Sequence, residues 1–187
     1  MNSLDFSGLT SDQARDVRQA IVRGENFHGY IPTASLDFIV RNYRNLAAKG
    51  ALERPWLDAY VHASDFSAYG MGVLKAVFDA CDRQVLRTLK PLADSVKGER
   101  LTLFRGCAGP MHSLGMSWTS SLDKAIWYAA RHAAYSNLSD LAVYATTVAT
   151  GDVYCQLDHY DEDFIVCARA AWRIDVPIAE FRLDRPR

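Results

Sequence analysis

The chain has 187 residues, is 49% hydrophobic, and carries 21 basic against 22 acidic residues for a net charge of −1. That length suits one domain, or one domain with an added helical lobe, and the apolar content argues for a true core and against disorder. A near-neutral chain has no global field to hold nucleic acid by counterion release, and no apolar run approaches the ~20 residues that span a bilayer, so neither nucleic acid nor membrane is an expected partner.

The first half reads as helices. Thr10 and Gln13 form a capping box ahead of Ala14, Val17, Ile21 and Val22, which lie at helical spacing, and Gly24 ends the segment. Gly29 and Pro32 break the chain. Thr33 or Ser35 then caps a second helix carrying Leu36, Ile39, Val40, Tyr43, Leu46 and Ala47, closed by Gly50. Arg54–Pro55–Trp56 opens a short third helix, because proline is tolerated in a first turn. From Asp65 to Leu92 the spacing predicts one long amphipathic helix. Gly70 and Gly72 weaken its start, and Val73, Leu74, Val77, Phe78, Cys81, Val85, Leu86 and Leu89 stripe one side.

After Lys97–Gly98–Glu99 the period changes. Residues 101–106 form a β-branched and aromatic run, hence a strand, followed by a loop to Gly115. Residues 116–120 form a strand end feeding Ser121, which caps a helix from Asp123 to Tyr135. Residues 141–149, 152–157, 163–168 and 171–176 read as strands between turns. The expected architecture is therefore α+β, with a helical lobe over 1–98 and a β-rich core over 99–187.

Cys81, Cys107, Cys155 and Cys167 include no C-x-x-C pair and read as reduced, small buried hydrophobes. The five histidines lack ligand spacing such as H-E-x-x-H, so no metal is expected. The N-terminal residues lack the basic start and apolar core of a signal peptide, so a cytoplasmic location is expected.

Three short elements carry chemistry. The first is Arg105–Gly106 at the end of a strand: a planar guanidinium grips phosphate through two donors at once, and glycine lets backbone approach closely. The second is Ser117-x-Thr119, whose period of two puts both hydroxyls on one face and Trp118 on the other. The third is the acidic triplet Asp161–Glu162–Asp163 ahead of Phe164–Ile165–Val166. Each has an ordinary structural reading: an edge-strand arginine in an ion pair, a helix cap, a solvated turn. The last is the weakest, since three carboxylates at one strand mouth repel unless a cation lies near.

In order and context these elements resemble the R-S-E class of mono-ADP-ribosyltransferases, over roughly residues 101–176. The resemblance implies an ADP-ribosyltransferase-like split β-sandwich in which NAD, the substrate, lies in a cleft between two packed sheets and loses nicotinamide. It implies that Arg105 holds a phosphate of NAD, with Gly106 beside the carboxamide. Ser117 fixes the catalytic carboxylate or the ribose, and Thr119 supports the cleft wall. On the following helix, Tyr128 or Trp127 stacks on nicotinamide, with core packing the plainer role for Trp127.

The acidic element departs from the family's E-x-E or Q-x-E. Matching register puts Asp163 in the catalytic position and Asp161 in the position that helps select the acceptor. Glu162 has the usual length but the wrong register, unless a bulge intervenes. Tyr160, with Tyr154 and His159, would meet the acceptor or pack its own loop. The implied activity is transfer of ADP-ribose from NAD to a protein acceptor, as bacterial or phage effectors and toxins do. The alternatives are an NAD glycohydrolase, or a catalytically silent module of the same fold that binds a protein partner.

Overall fold

A computed structural model describes residues 3–63, 66, 68–93, 96, 100–109, 115–157, 163–177, 180, 181, 183 and 184. Among them are six helices and one open six-stranded antiparallel sheet, so the protein is α+β. The chain divides into two compact units, Met1–Leu89 and Lys90–Arg187.

In the first unit, α1 (Ser11–Arg23) begins at the expected capping box: the Gln13 amide donates to Thr10 Oγ1 at 3.2 Å, and the Thr10 amide to Gln13 Oε1 at 3.0 Å. Gly24 closes it in the left-handed region. Val17 and Ala20 are buried, whereas Val22 is 87% exposed. Five residues from Val17, it has turned ~140° off the buried face. In α2 (Ser35–Ala47), neither Thr33 nor Ser35 caps the start. The N-cap is Ala34, and the Ser35 hydroxyl instead donates to the Pro32 carbonyl at 3.2 Å. The third helix, α3 (Glu53–His62), holds Pro55 in its first turn.

The single long helix expected over 65–92 is two: α4 (Gly70–Ala80) and α5 (Arg83–Leu89). The break falls at Cys81 and Asp82. Cys81 is extended, and the Asp82 carboxylate accepts from the Gln84 and Val85 amides at 2.8 and 3.3 Å, as a cap does. The buried Glu53 then accepts from the Asp82 amide at 2.8 Å, taking a donor that a continuous helix would have used internally. Phe27, Phe38, Ile39, Leu46, Trp56, Phe78 and Leu86 make the core.

The second unit begins earlier than the change of period near residue 98. Leu92 and Val96 pack against the sheet's core, and the Gln156 side chain accepts from the Ala93 amide at 2.7 Å. The elements are β1 (Arg100–Ala108), β2 (Ser117–Thr119), α6 (Leu122–Ser136), β3 (Leu141–Ala149), β4 (Cys155–Leu157), β5 (Asp163–Ile165) and β6 (Trp172–Ile174), and the sheet order is β4-β5-β2-β1-β3-β6. Residues 152–154, expected in a strand, precede β4, and Thr150–Asp152 form a 3-10 turn.

The resemblance implies two packed sheets; in the described residues the strands join in one. Its halves, β4-β5-β2 and β1-β3-β6, meet through a single residue pair, Phe104 opposite Thr119. Alternation sorts the two faces. Leu103, Trp118, Val148 and Phe164 build an apolar core on one. The other face carries Gly106, Ser117, Thr119 and Asp163, and α6 packs across it on β1, β2 and β3.

Ser121 caps α6 as expected, accepting from the Lys124 amide at 3.2 Å. What lets the helix sit so low is Gly106. A Cβ there would lie 1.6 Å from the Ala125 carbonyl oxygen and 2.7 Å from the Ala129 amide nitrogen. The space beside Gly106 is thus taken by the helix backbone. The close approach expected there to a ligand is, on this face, an approach to α6. Cys107 and Cys155 are buried within the sheet and Cys81 in the first unit; none of the four cysteines is in a disulfide.

Candidate functional site

Three neighbouring strands bring the sequence elements together. Arg105 lies on β1, Ser117 and Thr119 on β2, and Asp163 opens β5; these strands are adjacent in the order β5-β2-β1. β1 and β2 pair only at Phe104 and Thr119, and Arg105 is the next residue of β1. Its guanidinium donates through Nη1 to the Ser117 carbonyl at 2.7 Å. It also lies on Gly115, where a Cβ would stand 1.9 Å from the guanidinium carbon. The group is therefore seated by a backbone carbonyl and by a missing side chain, which sets the direction of its planar fork.

The register gives the strand partners of the two hydroxyl-bearing residues. Asp163 faces Thr119, and Ser117 faces Ile165. Thr119 is buried, and its hydroxyl accepts from the Ser121 amide at 3.2 Å at the entry to α6. Trp118 points to the other face, buried, its indole donating to the Gly115 carbonyl at 2.9 Å.

Asp163 is the electrostatic centre. Tyr128 of α6 donates to its Oδ2 at 3.3 Å. Burial pushes the carboxyl up to about 6, against the opposing pull of the Tyr128 hydrogen bond and the positive charges of Arg105 and Lys124. Lys124 did not stand out in the sequence. Its signal was its place four residues before Tyr128, on the same helical face. The Tyr128 ring is set between its neighbours, 4.9 Å from Trp127 and stacked 6.4 Å from His132.

Trp127 packs: it is buried, and its indole donates to the Leu183 carbonyl at 2.9 Å. Tyr154 is buried as well, its amide bonded to the Ile165 carbonyl at 2.8 Å, so it packs its loop and does not present a surface. His159, Tyr160, Asp161 and Glu162 lie outside the described residues. Among the described residues there is no cluster of three or more His, Cys, Asp or Glu able to hold a metal, and no helix long and apolar enough to cross a membrane.

By strand alternation Arg105 leaves β1 on the face of Leu103 and Trp118, opposite to that of Asp163, and its link to Asp163 is the pull of its positive charge on that carboxyl. No protein-family model matches the chain, and neither does any curated protein or solved structure.

Proposed function

We propose that the protein is an NAD-dependent mono-ADP-ribosyltransferase, moving ADP-ribose from NAD to a protein acceptor with release of nicotinamide. The observation that carries this reading is that Arg105 bonds the Ser117 carbonyl on the adjacent strand, while the charge of Arg105 and the hydroxyl of Tyr128 both act on Asp163, one strand further. Arg105 is the residue to hold a phosphate of NAD, and Asp163 the carboxylate to face the ribose. As nicotinamide leaves, the ribose gains oxocarbenium character, and a carboxylate in a water-poor site stabilises that charge more than it would in bulk solvent. With its carboxyl at about 6, Asp163 is mostly ionised at neutral pH, as this role requires.

The test is incubation of the full chain with labelled NAD and a cell lysate. A labelled protein band that is lost in Arg105→Ala and Asp163→Ala supports the proposal. Nicotinamide release without a labelled acceptor would instead mark water as the acceptor. Neither label nor nicotinamide release would reject NAD chemistry altogether. Glu162→Gln is expected to cost less activity than Asp163→Asn; the reverse order would move the catalytic position to Glu162.

A further inference from the structure

We propose that Tyr128 is the positioning residue of this site, its phenol holding the Asp163 carboxylate in place from α6. The proposal rests on Asp163 being the carboxylate that faces substrate. An aspartate is one methylene shorter than the glutamate of the resemblance, and an error of about 1 Å in a reacting group can cost on the order of a hundredfold in rate. Something must therefore hold it.

Thr119 lies opposite Asp163, and its hydroxyl accepts from the Ser121 amide at the entry to α6. Ser117 lies opposite Ile165, two residues along, which is about 6.6 Å of strand. The Tyr128 hydroxyl, by contrast, is 3.3 Å from Oδ2. Its ring is braced by Trp127 and His132, and its helix is seated on β1 through Gly106.

Among the described residues, the charged or titratable groups acting on Asp163 are Arg105 from β1 and Lys124 and Tyr128 from α6. The residues paired with it on β2 and β4, Thr119 and Leu157, carry no charge. A hydrogen bond from the phenol favours the ionised carboxylate, so its removal has a sign: the carboxyl should hold its proton to higher pH.

Tyr128→Phe keeps the ring and removes the donor. Two readouts on the full chain decide the matter. The first is the Asp163 carboxyl titration by carbon NMR, assigned by its loss in Asp163→Asn. In Tyr128→Phe its midpoint should rise by about one pH unit. The second is nicotinamide release against pH: kcat should fall about tenfold, its acid limb should move up with the carboxyl, and KM for NAD should stay within about twofold.

An unchanged midpoint overturns the proposal, as does a change confined to KM, which would make Tyr128 a stacking surface for substrate. If the wild type releases no nicotinamide, the catalytic reading fails, and the NMR midpoint still decides whether the phenol holds the carboxylate. Should Tyr128→Phe fail to fold, site-specific fluorotyrosine at 128 is the second variant. As a stronger donor, it should move the midpoint down; no movement, or movement up, overturns the proposal.

Discussion

Replacing Asp163 with asparagine should stabilise the fold while removing its chemistry. Asparagine keeps the shape and the acceptor for the Tyr128 hydroxyl but carries no charge. The folded protein raises the Asp163 carboxyl from the usual 3.8 to about 6. Between those values the native state holds a proton that the unfolded chain has released, so stability is lost as pH rises through the window. Below it the carboxyl is neutral in both states and the penalty is absent; above it the penalty is complete. At about 1.4 kcal/mol for each pK unit, the ceiling is roughly 3 kcal/mol, and partial solvent access brings the expected gap to about 1–3 kcal/mol. The assay is urea unfolding of the full wild-type and Asp163→Asn chains from pH 3.5 to pH 8. Taking the difference cancels the contributions of groups common to both. Asp163→Asn should gain on the wild type as pH rises. A gap independent of pH, or one opening in favour of the wild type, would refute the claim that burial dominates at Asp163.

Two glycine substitutions separate seating the helix from seating the arginine. Gly106→Ala would drive a Cβ to 1.6 Å from the Ala125 carbonyl, so α6 must retreat by roughly 1.4 Å to reach the 3.0 Å that real Cβ contacts respect. Because backbone meets backbone, the cost should be about 3 kcal/mol or more, read as a Tm drop of at least ~6–12 °C. Gly151→Ala, with nothing within 4 Å of the added carbon, is the control; equal melting of the two variants would contradict the packing. For Gly115→Ala the three atoms nearest the added carbon all belong to the movable end of Arg105. The variant should leave Tm within about 2 °C but raise KM for NAD about tenfold or more, as the guanidinium is displaced. Unchanged KM would remove Arg105 from substrate binding.

Local chemistry was legible in the sequence. The Thr10–Gln13 box and the Ser121 cap are decided within three residues, and both stand as read. The strands bearing Arg105 and Ser117-x-Thr119 were likewise marked by period and composition. What escaped were features set by distant partners. The stop between α4 and α5 needs Glu53, 29 residues before Asp82. The pairing of Asp163 with Thr119, and not with Ser117, depends on a register between strands separated by α6, β3 and β4. Gly106 announced a close approach, but its partner, the backbone of α6, appears only once the helix folds back over the sheet.

The direction of the Asp163 shift bears on whether this carboxylate serves the fold or a reaction. A carboxylate kept for stability is ordinarily offset by cations and donors enough to hold its proton affinity at or below the free value. Here Tyr128, Arg105 and Lys124 all pull that way, and burial still outweighs them. The native state therefore maintains a charge that its surroundings only partly compensate, at a cost to its own stability. Two glycines 106 and 115 keep the arrangement in place, one admitting α6 with Tyr128 and the other admitting the guanidinium of Arg105. A solvated acidic turn would need neither glycine and would carry no such cost. Under the proposed reaction, the missing positive charge is the one the ribose would develop as nicotinamide leaves, and an under-compensated carboxylate is what that step calls for.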